Sequence, residues 1–254
     1  MLAPSLFLPG VEKMNLKQVH EDVHLKGNYP QAEQMYMSIL DEHPDNWLCL
    51  FFLGTLFLQT NRNGLAIQCF ERAAFHKPHL AEVWNNLGTA YKRENHNERA
   101  KVCFLRSSLL KKDAETFTNL STVFINEGCP DFGARYSDLS IKMSPNNIQG
   151  HWNRSLILLE QGKYGEGFDE YFWGLRSKDR INRDYNAPIY RGEEGKRVVV
   201  WGEQGIGDEI MFASIIPDLM RRSSGVILDC HPRLKGLFER DGINASSGGH
   251  WCEL

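Results

Sequence analysis

Apolar, small and proline positions return along the chain at a nearly fixed interval. A step of 34 residues carries Pro44 to Pro78, Gly54 to Gly88, Phe57 to Tyr91, Ala66 to Ala100, Phe70 to Phe104 and Ala73 to Ser107. A step of 33 then carries Trp84 to Phe117, Leu87 to Leu120, Gly88 to Ser121, Tyr91 to Phe124, Ala100 to Gly133 and Ser107 to Ser140, one residue being lost near Lys111-Lys112. A further step of 34 reaches Ser155, Leu158, Gly162, Gly167, Tyr171 and Gly174, and Gly27, Ala32, Tyr36 and Pro44 mark an earlier unit. Such a period predicts a stack of supersecondary units. Each offers two amphipathic helices, and proline closes the second because it cannot continue a helix. Gly54, Gly88, Ala66 and Ala100 fall where paired helices must approach closely, and aromatic residues plug the gaps between units. One unit cannot bury its own apolar face, so the five must stack. The apolar run Leu48 to Leu58 is then a central repeat helix, too short to span a bilayer.

The pattern changes after residue 176. RSKDRINRDYNAPIYRGEEGKR is charged, with one proline and two glycines, and predicts a connecting arm over 177–196. A βαβα pattern follows: a strand Arg197–Trp201, a helix Asp208–Arg222 with Ile210, Met211, Ile215 and Leu219 inward, a strand Val226–Cys230 and a helix Pro232–Arg240. Strand–helix–strand at this spacing implies parallel pairing by a right-handed crossover. The tail GINASSGGHWCEL is polar and glycine-rich, and no third strand is expected in it. Two parallel strands do not make an independent doubly wound domain. Residues 197–254 therefore suggest the opening of a larger domain, whether by gene truncation, by frameshift or as a fragment that another chain completes.

The repeated unit resembles the tetratricopeptide repeat, whose pattern runs Trp-x-x-Leu-Gly-x-x-Tyr, then Ala, Phe, Ala and a closing Pro. Trp84, Leu87, Gly88, Tyr91, Ala100 and Phe104 follow it, the second unit places Leu50 where Trp belongs, and the first, fourth and fifth are looser. The resemblance covers residues 13–176 and implies a mainly α protein with a right-handed superhelix of five repeats. First helices of such repeats line a concave groove where a protein or peptide partner sits. Asn86 in WNNLG, Asn119 in FTNLS and Asn153 in HWNRS share one register. Primary amides donate and accept, so a column of them can grip an extended backbone, similar to the asparagine ladder of O-linked N-acetylglucosamine transferases. The alternative is that each amide satisfies neighbouring helix backbone. The first two repeats break the column with Gln18 and Phe52, and Lys92 and Arg93 join the groove beside Glu82 and Asn85.

The stretch LEQGKYGEGFDEYFW, followed by DYNAPIYRGEEGKRVVVWGEQGIGDEIMFASIIPDL, resembles repeat proteins fused to a glycosyltransferase-B module related to ADP-heptose:lipopolysaccharide heptosyltransferases. Only the start of that module's acceptor-binding Rossmann half is matched, and the nucleotide-sugar half has no counterpart. Three readings of WGEQGIGDEI stay open. As a GxGxxG fingerprint, Gly205 and Gly207 would serve with Asp229, but Ile210 stands where Gly or Ala is needed, and Asp208 and Glu209 would repel a pyrophosphate. By the resemblance, Asp208 is a general base for an acceptor hydroxyl in an inverting transfer, with Glu203, Gln204, Gly205 and Gly207 forming the acceptor-side turn and the donor half borrowed from a partner chain. Structurally, Asp208 caps the following helix and its charge suits the positive helix end.

A formal net charge of −3 argues against a nucleic-acid partner. Six cysteines without a CxxC pair suggest reduced, buried thiols and a cytoplasmic setting. The start MLAPSLFLPG lacks a basic n-region and a cleavage site. His20 and His24 share a helix face, but a zinc site needs more ligands nearby. No metal and no cofactor are expected, and the expectation is a peptide-binding repeat protein whose glycosyltransferase-like segment is not catalytic by itself.

Overall fold

The computed structural model describes residues 16–176, 187–188, 190–202 and 206–247. The chain divides into two compact units, Met1–Gly174 and Leu175–Leu254. The first unit is a run of helices. It opens with α1 (Leu16–Gln18), which continues as a π-helical turn Val19–His24. Then come α2 (Tyr29–Glu42), α3 (Trp47–Gln59), α4 (Asn63–His76), α5 (Ala81–Arg93) and α6 (Asn97–Leu110). It ends with α7 (Ala114–Asn126), α8 (Pro130–Met143), α9 (Ile148–Glu160), α10 (Tyr164–Tyr171) and a 3-10 turn Phe172–Arg176. Contacts concentrate between chain neighbours, α3 with α4, α5 with α6, α7 with α8 and α9 with α10, and run more sparsely between the successive first helices α3, α5, α7 and α9.

One turn joins the two helices of every pair. Gly27, Asn61, Asn95, Gly128 and Gly162 all have positive φ, between 57° and 82°. This left-handed conformation suits glycine, which has no Cβ to clash, and asparagine, which tolerates it. In each case the next residue's N–H returns to a carbonyl five positions back: Asn28 to Val23, Arg62 to Phe57, His96 to Tyr91, Cys129 to Phe124 and Lys163 to Leu158, at 2.8–3.1 Å. Carbonyls at the first helix's end, which have no partner within the helix, are satisfied in this way. The turns between pairs are built differently. Asn46, Asp113 and Asn147 cap α3, α7 and α9 by accepting from backbone N–H groups. The Trp84 indole donates to Pro78 O at 2.9 Å, and 67 residues later His151 Nε2 donates to Pro145 O at the same distance.

Within the central pairs a ring enters a notch. Phe70 and Phe104 are fully buried. A Cβ added to Gly54 would lie 2.8 Å from the Phe70 ring, and one added to Gly88 2.7 Å from the Phe104 ring. The fourth pair solves the same crossing with two small residues: Ser121 and Ser137 occupy these positions, both at 0% exposure. Around the notches lies a continuous core that includes Tyr36, Leu53, Leu56, Leu87, Leu120 and Val123.

The second unit is a small parallel sheet with helices between its strands. Its order is β1 (Arg197–Trp201), β2 (Gly225–Asp229) and β3 (Ala245–Ser246), with Val198 paired to Val226, Val200 to Leu228 and Leu228 to Ala245. The third strand was not expected. It is only Ala245 and Ser246, too short to leave an alternating pattern, but pairing needs only backbone, and Cys230 N–H donates to Ser246 O at 2.9 Å. The helix expected over Asp208–Arg222 is broken into α11 (Ile206–Phe212), a 3-10 turn Ala213–Ile215 and α12 (Ile216–Arg222). Pro217 explains the break: it has no N–H, and its ring opposes the carbonyl of residue 213. The break also re-aims the inward face. Ile206, Ala213, Ile216 and Leu219 pack on Val226 and Leu228, with Leu234 and Phe238 of α13 (Pro232–Arg240), while Ile210, Met211 and Ile215 stay about half exposed.

Two outcomes follow from this packing. Gly88→Ala drives a methyl into the Phe104 ring and lowers urea stability by about 1–3 kcal/mol, whereas Gly64→Ala, with nothing within 4 Å, is neutral or stabilising by about 0.5–1 kcal/mol. Burial pushes the thiols of Cys49 and Cys103 up to about 12 and that of Cys69 to about 11, from an ordinary 9.0. Between those values the unfolded chain holds fewer protons than the folded one, so stability is complete below pH 9.0 and declines as pH rises toward the folded values. The urea midpoint should fall between about pH 8 and about pH 10.5, and fall less in Cys49→Ala/Cys103→Ala.

Candidate functional site

The face formed by the first helices carries a polar network that crosses repeats. Asn85, buried on α5, donates from Nδ2 to Glu115 Oε1 at 3.2 Å, and its Oδ1 accepts from Thr116 Oγ1 and Asn119 Nδ2, both at 3.3 Å. Asn119 Oδ1 in turn accepts from Lys92 Nζ at 2.7 Å. Arg93 Nη1 donates to Leu58 O, at the end of α3, at 2.6 Å. Lys92, Arg93 and Asn119 thus tie α3, α5 and α7 together. Burial, then Arg93, holds the Lys92 ammonium below the ordinary lysine range, and Glu115 opposes the shift. Asn153 is buried against α7: Nδ2 donates to Thr118 O at 3.2 Å and Thr122 Oγ1 at 2.9 Å, and Oδ1 accepts from Gln149 at 3.0 Å. Asn86 is half-buried, and its side chain makes no hydrogen bond among the described residues. It lines a cavity of about 300 Å³ with Asn85, Glu115 and Thr116, rimmed by a Glu82–Lys111 ion pair at 2.8 Å.

Asn85 was expected among the groove positions but not in the amide column. The register singles out Asn86, but Asn119 meets the amide one position earlier. The adjacent pair Asn85-Asn86 was the available signal. His20 and His24 have local roles. His24 is buried between the Tyr36 hydroxyl at 3.0 Å and Gln59 Oε1 at 2.8 Å, and His20 stacks on Phe52 at 3.9 Å.

In the second unit, Glu203, Gln204 and Gly205 lie outside the described residues. Gly207 is exposed, and α11 begins at Ile206, so Asp208 is its third residue and not its N-cap. The neighbouring acid has a defined task. Glu209 Oε2 accepts from the His231 backbone N–H at 2.8 Å, at the start of α13. It passes so close to Gly202 that a Cβ there would collide with it. Glu209 therefore joins the loop after β1 to the loop after β2. At the end of β2 Asp229 is fully buried, and burial, then Glu209 and Asp229, pushes the Cys230 thiol up.

A family model described as "Tetratricopeptide repeat" matches residues 81–113. The chain is 29% identical over 201 residues to Protein FlbA of Caulobacter vibrioides, covering 74% of this chain and 33% of that protein. It is 26% identical over 184 residues to the peroxisomal targeting signal receptor of Candida glabrata, covering 69% of this chain and 28% of that protein. The chain thus spans a third or less of these curated relatives. Among solved structures, MamA superposes with a TM-score of 0.58 at 20% identity over 64% of this chain and 94% of that one. PilF of Pseudomonas aeruginosa superposes with a TM-score of 0.58 at 18% identity over 79% and 82%. Residues 81–113 thus match a tetratricopeptide repeat, and the helical unit shares the fold of these solved structures, with a small parallel sheet after it. No helix among the described residues is long and apolar enough to cross a membrane.

Gly202→Ala should displace Glu209 from His231 and destabilise the second unit by about 1–3 kcal/mol. Gly207→Ala, with open space around it, should change the thermal midpoint little; equal losses in the two variants would contradict the Glu209 tie.

Proposed function

We propose that the chain is a peptide- and protein-binding scaffold that holds an extended segment along the face of its first helices. The observation that carries this reading is the open amide of Asn86. It stands beside a network in which Asn85, Asn119 and Lys92 are already held in place across two repeats. Amides fixed in this way offer donors and acceptors to a peptide backbone without reorganising. Asn153, with both ends of its amide engaged, contributes to the shape of the column and less to its grip. The similarity to a peroxisomal targeting signal receptor agrees with this class of activity. Five described thiols are free, and the four buried ones suit a reducing compartment, which we take to be the cytoplasm.

A second reading concerns the sheet. Three parallel strands with helices between them, and an acid in the first turn of α11 at the carboxyl end of β1, are what a sugar-transfer half-domain would offer a partner half. In that reading Asp208 is the general base. Calorimetric titration of the chain with ADP- and UDP-sugars should give no heat of binding. Binding by this chain by itself would instead show that it carries a donor site without a partner half.

The scaffold reading is tested with linear peptides selected from a random phage-displayed library. Asn86→Ala/Asn119→Ala should weaken their binding at least about tenfold, the loss of one to two hydrogen bonds. Unchanged affinity would remove the amides from the site.

A further inference from the structure

The opposite side of the repeats, carried by the second helices, holds the larger opening. Between α4 and α6, with α5 as its floor, lies a cavity of about 760 Å³. Its floor is Trp84, Leu87 and Tyr91, spaced i, i+3 and i+7 on α5. Its walls present Phe75 from α4 and Val102 from α6, which are 82% and 60% exposed. Large apolar side chains this exposed at the mouth of an apolar cavity mark an interaction surface more often than singly scattered ones do.

Two carboxylates, Glu71 and Glu98, and two guanidiniums line this mouth. Arg99 and Arg106 both rise from α6, seven residues and so about 10 Å apart along its axis. The Arg106 guanidinium lies 4.1 Å from the centre of the Trp84 ring and that of Arg99 5.6 Å from Tyr91. Stacking on a ring leaves the guanidinium's N–H fork directed outward. Among the described residues neither arginine forms an ion pair. The acids beside them are engaged: Glu71 accepts from the Tyr91 hydroxyl, and Glu98 pairs with Lys101 at 2.9 Å.

We propose that this outer groove docks an amphipathic helix of a partner protein, whose apolar anchors fill the cavity and whose carboxylates pair with Arg99 and Arg106. Anchors at i, i+3 or i+4, and i+7 match a groove of this form, and acids about two turns apart match the arginines. A basic helix would set like charge against both guanidiniums, and a purely apolar one would leave both without an ion-pair partner. The site shares no residue with the amides on the first-helix face, so the two readings stand or fall separately.

The probe is a phage-displayed three-helix scaffold randomised on one helix face and selected against the full chain. Enriched clones should combine aliphatic or aromatic anchors with Asp or Glu. Phe75→Ser/Val102→Ser and Arg99→Glu/Arg106→Glu should each weaken them at least tenfold, while Asn86→Ala/Asn119→Ala leaves them unchanged. Circular dichroism checks that the variants fold, and Phe75→Ala and Arg106→Gln serve as milder substitutes with smaller losses expected. Enriched clones with a basic face, or clones that bind every variant equally, would overturn the proposal. So would light scattering that finds a dimer dissociated by Phe75→Ser/Val102→Ser, which would assign the groove to a second copy of the chain.

Discussion

The repeat unit depends on one steric fit, the entry of an aromatic ring from a second helix into the glycine notch of the first. Gly54 with Phe70 and Gly88 with Phe104 bring the helices of a pair close enough for the ring to be fully buried. Any side chain in the notch would have to push the ring out, and interiors this dense do not absorb such a shift cheaply. The recurring left-handed turn sets the angle at which the second helix returns, so turn and notch act together. Where the ring is lost, at Ser137, the notch is filled by Ser121, and the crossing survives with less buried apolar surface. The polar network rests on this stack, because Asn85, Asn119 and Lys92 meet only if α5 and α7 keep their spacing.

Much of this architecture was visible in the amino-acid sequence because its causes are local and periodic. The 34-residue step picked out Gly54, Gly88, Phe70 and Phe104 because steric need allows few residue types at those places. The left-handed turn was only half visible. Gly27 and Gly162 lay on the period, while Asn61 and Asn95, which fill the same turn, look like ordinary surface polar residues until their φ angles are seen. The break in α11–α12 shows the opposite case. Pro217 was present in the sequence, but apolar spacing alone placed Ile210, Met211 and Ile215 inward, and the kink turned Ile216 in instead. The two-residue β3 left no pattern, since backbone pairing there involves no apolar alternation.

The candidate sites were less legible, for a reason that also lies in the geometry. A register counted along one helix predicts which residues share a column, but contact between stacked helices depends on their offset. Asn119 therefore found Asn85 and not Asn86. The outer groove had no sequence signature. Trp84, Tyr91 and Cys103 read as repeat core, and only the packing shows that Phe75 and Val102 are left outside it. Around the glycine turn after β1, the acid with an observed contact is Glu209, which joins two loops through His231 and favours a structural role for that carboxylate.

Amide hydrogen exchange with and without a saturating linear peptide from the library tests most directly where binding resides. Bound peptide should slow exchange in α5 and α7, whose facing residues form the network, and leave α11 and α13 unchanged. Protection confined to α11, α13 or the strands between them would contradict the assignment of binding to the repeats.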